Sequence, residues 1–164
     1  MEFEIHEQSV SLVSPDYTHE RNKPMPSLNH STIQANLIFE IKLRYNERFK
    51  VTSELNLGLN DWQSVPDITL LPKAEMDLWN DEISVKNPPL CVIEILSPTQ
   101  SLTELTTKAK DYFQHGVQSC WIVLPSLANI YVYSSPTDYA IFRSTETLTD
   151  KKMDITFPLV EVFK

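Results

Sequence analysis

Glycine is nearly missing from this chain: Gly58 and Gly116 are the only two in 164 residues. Neither G-x-G-x-x-G nor G-x-x-x-x-G-K can be written, so the glycine-cradled phosphate loops of nucleotide-binding proteins are excluded. Cysteine is as scarce. Cys91 and Cys120 both sit in apolar stretches and read as small buried hydrophobes in a reducing compartment. No C-x-x-C or His/Cys cluster suggests a zinc site. Basic charge is also short: 14 Lys and Arg against 22 Asp and Glu give a net charge of -8. That balance counts against avid DNA binding by the chain alone, so a nucleic-acid role needs a local basic patch, a second subunit or a partner. No apolar signal core opens the chain and no apolar run approaches membrane-spanning length. The expectation is a soluble, cytoplasmic protein with no membrane partner.

The length suits one domain, residues 1–164, with a sizeable core. Residues 2–5 and 9–13 alternate and predict an N-terminal hairpin; residues 14–26 carry three of the eleven prolines and read as an arm or loop. Ser27 is positioned to cap a helix running to about residue 48, with Ile33, Leu37 and Ile41 on one face and Leu28, Ile38 and Tyr45 at its margins. His30 and Gln34 lie on that face near the helix start, where they would border a phosphate-binding cleft. Residues 49–59 alternate as a single strand, with Glu54 on its more polar side; residues 60–64 read as a turn and 65–71 as a further strand. Residues 72–89 are polar and irregular, with one helical turn expected near 75–79.

Residues 90–97 organise the chain. Both parities are apolar except at Glu94 and the terminal Ser97, the pattern of a strand buried on both faces. After the Pro98-Thr99-Gln100 break, Ser101-Leu102-Thr103-Glu104 has the capping-box form, and the helix it starts should stop at Gly116. Leu102, Leu105, Ala109, Tyr112 and Phe113 form its apolar stripe, flanked by Lys108 on one side and Lys110 on the other. Residues 117–124 are again apolar on both parities, so strand, helix and strand make a βαβ unit with parallel strands. Residues 130–134 and 139–143 predict a hairpin, and the tail a last short strand or turn.

A lone ionised carboxylate in a buried strand is costly, so Glu94 must be paired, protonated or bound to a cation. Asp67 is a second acid in an otherwise apolar strand. If the two strands are neighbours, the carboxylates can converge on one cation. Hard oxygen ligands without His or Cys suit Mg²⁺ or Mn²⁺. A nearby lysine could orient a water and balance developing charge, and helix phasing alone leaves Lys108 and Lys110 equally placed.

The order Pro66-Asp67, Ile93-Glu94-Ile95-Leu96-Ser97-Pro98, Lys108, Tyr112, Gly116-Val117 and Trp121-Ile122-Val123 resembles the Uma-type restriction endonuclease family of the PD-(D/E)XK nuclease superfamily, over about residues 26–164. The resemblance implies an α/β (α+β) restriction endonuclease-like core, a mixed central β-sheet flanked by helices. It implies that Asp67 and Glu94 are catalytic and metal-binding acids, with the Ile95 carbonyl a further ligand to Mg²⁺ or Mn²⁺. Leu96 stands where the superfamily usually has its lysine, and the matching lysine on the following helix is Lys108. His30, Gln34 and Glu54 match positions often polar in the family and are candidate substrate-binding residues. Ser119-Cys120-Trp121 and Leu124-Pro125 depart from the common Glu-Tyr-Trp and Asp-Pro, away from these positions. The expected function is a Mg²⁺-dependent endonuclease that hydrolyses nucleic-acid phosphodiester bonds, with DNA as partner and a homodimer able to cut both strands. The acidic balance keeps a second reading in play, a catalytically silent interaction or regulatory domain on the same fold. A hydrolase of small phosphate substrates is a third.

Overall fold

The computed structural model describes residues 23–164. The hairpin expected within residues 2–13, and the arm up to residue 22, lie outside the described residues. Ser27 Oγ accepts the His30 N–H at 3.2 Å and starts helix α1, Leu28–Tyr45. Ile33, Leu37 and Ile41 are buried along it, but Leu28 is exposed. The buried row steps back from Ile33 to His30, which leaves Leu28 off the stripe. The helix ends at Tyr45, three residues before the expected 48, because residues 46–48 make the turn into the sheet.

Ten strands follow α1: β1 Phe49–Ser53, β2 Leu57–Leu59, β3 Trp62–Ser64, β4 Ile68–Pro72, β5 Cys91–Ile95, β6 Ser119–Leu124, β7 Asn129–Tyr133, β8 Tyr139–Arg143, β9 Thr147–Asp150 and β10 Ile155–Pro158. Helix α2, Leu102–Gln114, joins β5 to β6. Six strands form one mixed sheet in the order β1-β4-β5-β6-β7-β8. Only β5 and β6 run parallel in it, as the βαβ reading required. Every residue of β5 and of β6 is buried. Ser101 Oγ accepts the Glu104 N–H at 3.2 Å at the start of α2, and Gly116 ends the turn after it at φ +96°. There a side chain would be strained and would meet Pro88.

Alternation along β5 and β6 divides the core in two. Cys91, Ile93, Ile95, Trp121 and Val123 pack with α1 and the β9–β10 hairpin. Val92, Cys120 and Ile122 pack with Leu105, Ala109 and Tyr112 of α2. Leu102, expected in the α2 stripe, is exposed in the first turn, ahead of the sheet.

Three expectations need correction. The strand over residues 49–59 is broken: Glu54 adopts φ +53°, which turns the chain out of β1 before β2 begins. The alternating pattern continued past that kink and masked it. The turn expected over residues 60–64 is confined to Asn60-Asp61, and Trp62–Ser64 pairs back onto Leu57–Leu59. No helical turn forms near residues 75–79; the segment is instead tied down later, where Val85 bonds Asn56 and Gly58. The β9–β10 hairpin was not anticipated, and the tail after it closes as a turn with Leu159 and Val162 buried, in line with its reading. Among the described residues no helix is long and apolar enough to cross a membrane.

Candidate active site

Strand register sets the site. Strand β4 pairs with β5 so that Ile68 faces Ile93, and with β1 so that Ser53 faces Ile68. Continuing both antiparallel registers by one residue puts Glu54, Asp67 and Glu94 in a transverse row across three neighbouring strand ends. The Glu54 N–H bonds the Asp67 carbonyl at 3.1 Å, which fixes one half of that row. The other half is fixed by the Ile95 N–H, which bonds Asp67 Oδ2 at 2.7 Å.

Asp67 is 1% exposed. Its Oδ2 also lies 3.2 Å from His30 Nε2, and its Oδ1 lies 2.6 Å from Lys23 Nζ. Burial alone would push its pKa up; the His30 hydrogen bond and the Lys23 charge outweigh that and hold it below the ordinary value. Lys23 Nζ reaches Glu54 Oε2 at 2.9 Å as well. Burial pulls the Lys23 pKa down, but Asp67, Glu94 and Glu54 around it more than reverse this and keep the ammonium charged. Gln34 Nε2 donates to the Asp67 carbonyl at 2.9 Å and to Glu54 Oε1 at 3.3 Å. The His30 Nδ1 is buried without a partner among the described residues.

Glu94 is held from the other side of the sheet end. Its Oε1 accepts from Lys108 Nζ and from the Tyr112 hydroxyl, each at 2.7 Å. The phenol has a single proton, given to Glu94, so Ser64 Oγ donates to Tyr112 at 2.6 Å. Burial first, and the Glu94 charge next, raise the Tyr112 pKa well above its ordinary value, so it stays a donor. Lys108 precedes Tyr112 by one turn and reaches the strand, whereas Lys110 points to solvent. The outer side of Lys108 lines an open cleft of about 640 Å³ with Trp62, Ser64, Val65, Gln100 and Thr107.

Asp67, Glu94 and Lys108 therefore gather at one end of β4, β5 and α2, and His30, Gln34 and Glu54 surround Asp67 within that cluster. The Ile95 backbone is part of it through its N–H. Two further members escaped sequence reasoning. Lys23 lies in a proline-rich stretch with no periodicity, and Ser64 lay in what read as a turn. Tyr112 was legible as an apolar stripe residue and as part of the family's motif order, but not as a donor to Glu94.

A third buried acid shows the contrast. Asp150 accepts from the Trp121 Nε1–H at 2.7 Å, the Met153 N–H at 3.1 Å and the Ser119 hydroxyl. These three donors are neutral, and Asp150 forms no ion pair among the described residues, so it closes the core. Asp67 and Glu94 are instead paired with lysine side chains, Lys23 and Lys108. Among the described residues no three His, Cys, Asp or Glu side chains already stand as a metal cage. The hard oxygens of Asp67 and Glu94 nonetheless fit Mg²⁺ or Mn²⁺ by chemistry.

Among curated proteins none matches the chain. A solved structure from Anabaena variabilis ATCC 29413, described as a putative nuclease belonging to DUF820, matches its fold with a TM-score of 0.74 and 24% sequence identity, covering 86% of this chain and 83% of that one. The family model described as "Putative restriction endonuclease" matches residues 16–156, and the chain belongs to that family, Uma2.

Proposed function

We propose that the chain is a Mg²⁺- or Mn²⁺-dependent endonuclease acting on DNA. The observation that carries this reading is the placement of Asp67 opposite Glu94 across paired strand ends, with Lys108 seated on Glu94. Asp67 and Glu94, with the Ile95 carbonyl implied by the family resemblance, would hold the ion. When bound, such an ion lowers the pKa of a water and offsets phosphate charge. The chain's own residues do the rest. The Ile95 N–H and His30 fix the Asp67 carboxylate; Tyr112 and Ser64 fix that of Glu94. Lys108 reaches both Glu94 and the open cleft, so its ammonium can orient an attacking water and stabilise charge on the phosphate in flight. His30, Gln34 and Glu54, expected as substrate-binding residues, surround Asp67 and would also position it.

The test is nicking of supercoiled plasmid in Mg²⁺ or Mn²⁺ by the wild type, Glu94→Ala and Lys108→Ala. The wild type should nick and both variants should lose at least about 100-fold, the scale of removing one stabilising group. The net charge of -8 supports the second reading, a silent interaction domain, which gains if the wild type leaves DNA and RNA intact. We further propose a homodimer paired through the sheet edge at β8, where Tyr139 and Ile141 are exposed; sedimentation as a monomer would remove that part alone.

A further inference from the structure

We infer that Lys23 sets the metal affinity of this site: its ammonium occupies the position of the divalent cation and must leave when the ion enters. The inference rests on the proposed metal role of Asp67 and Glu94. Of the two Asp67 oxygens, Oδ2 is held by the Ile95 N–H and His30, and Oδ1 faces Lys23 Nζ at 2.6 Å. An ion bound through Oδ1 therefore competes with that ammonium for one oxygen. The same ammonium contacts Glu54 at 2.9 Å, and its side chain is 9% exposed, so it is a buried counter-ion and not a surface pair.

Glu54 and Asp67 both meet the Lys23 ammonium, and Glu94 meets Lys108. A divalent ion brings twice the charge of the ammonium it would displace. A monovalent ion offers no more charge than the ammonium it would replace, so Lys23 also favours divalent over monovalent cations. The new ion must offset the lost ion pairs, while the backbone offers little resistance. Pro24 and Pro26 have no N–H to anchor the segment, and Ser27 caps α1 four residues on, so Lys23 can swing out while the helix stays in place.

Mn²⁺ binding, read from the electron paramagnetic resonance of the free ion, tests this in the full chain. Lys23→Gln should bind Mn²⁺ at least ten-fold more tightly than the wild type, and Lys23→Arg no more tightly than the wild type; Asp67→Asn should not bind. Equal or weaker binding by Lys23→Gln overturns the role of Lys23 and leaves the metal reading standing. Absence of binding by both the wild type and Lys23→Gln overturns the metal reading and this inference with it. A second measurement needs no variant: the Lys23 ammonium protons, followed by nitrogen-15 NMR, should exchange with water faster at saturating Mg²⁺. Unchanged exchange at saturation would show that the lysine stays in place.

Discussion

The hydroxyl of Tyr112 donates to Glu94 Oε1 at 2.7 Å while Lys108 meets the same oxygen at 2.7 Å. One carboxylate oxygen thus receives a neutral and a charged donor, and the neutral one is itself held by Ser64. Tyr112→Phe keeps the packing of α2 and removes only that relay. It orphans the buried Ser64 hydroxyl and frees Glu94 to rotate about its contact with Lys108. The expected loss is about 1–3 kcal/mol in a denaturant melt. Turnover on plasmid should fall roughly 10- to 100-fold with little change in KM, because a misaligned acid slows the chemical step more than DNA binding. A variant with full turnover would show that Lys108 alone positions Glu94.

Asp150→Asn separates a structural acid from the candidate site. The substitution replaces the acceptor shared by Trp121, Ser119 and the Met153 N–H with an amide, one end of which is a donor. At least one of those buried donors loses its partner, at a cost of about 1–3 kcal/mol. Unfolding should shift accordingly, while Mn²⁺ affinity and turnover per folded molecule stay at the wild-type level. Loss of metal binding in this variant would mean that the two core layers are coupled through β6.

Much of this was legible before any coordinates. β5 is apolar on both parities and α2 carries both its start and its stop, so the βαβ unit follows from local rules, whereas helix phasing left Lys108 and Lys110 equal and the family resemblance chose Lys108. The meeting of Asp67 with Glu94 needed strand pairing, which periodicity does not contain. The break at Glu54 was illegible because side-chain alternation survives a single residue at φ +53°. Lys23 was illegible for another reason: its partner Asp67 lies 44 residues away, and nothing local distinguishes it from a solvated lysine.

The two thiols report on the same buried layers. Cys91 and Cys120 are both fully enclosed, and burial pushes both thiols well above the ordinary range. The thiolate is the reactive form, so both should resist thiol reagents in the native protein. Labelling should be slow and should speed up with denaturant in parallel with unfolding. Rapid modification of either in buffer would show that the sheet opens locally at β5 or β6.

His115 links the end of α2 to the cleft wall. Its ring stacks on Trp62, with centroids 5.0 Å apart, its Nδ1 lies 2.7 Å from the Asp111 carbonyl, and its Nε2 lies 3.4 Å from Asp61. The hydrogen bond to that carbonyl leads, partial burial opposes it and Asp61 adds to it, so the pKa lies above the ordinary 6.5. A raised folded-state pKa means that the protonated ring is favoured by folding. Its stabilising contribution is full below the unfolded value of about 6.5 and fades as the pH rises through the folded one. The imidazole resonances should titrate with a midpoint above 6.5, and Trp62 emission should follow the same curve through the stack. Asp61→Asn should move the midpoint down while leaving it above the unfolded value, since the Asp111 carbonyl remains. A midpoint at or below 6.5 in the wild type would show that neither contact persists in solution.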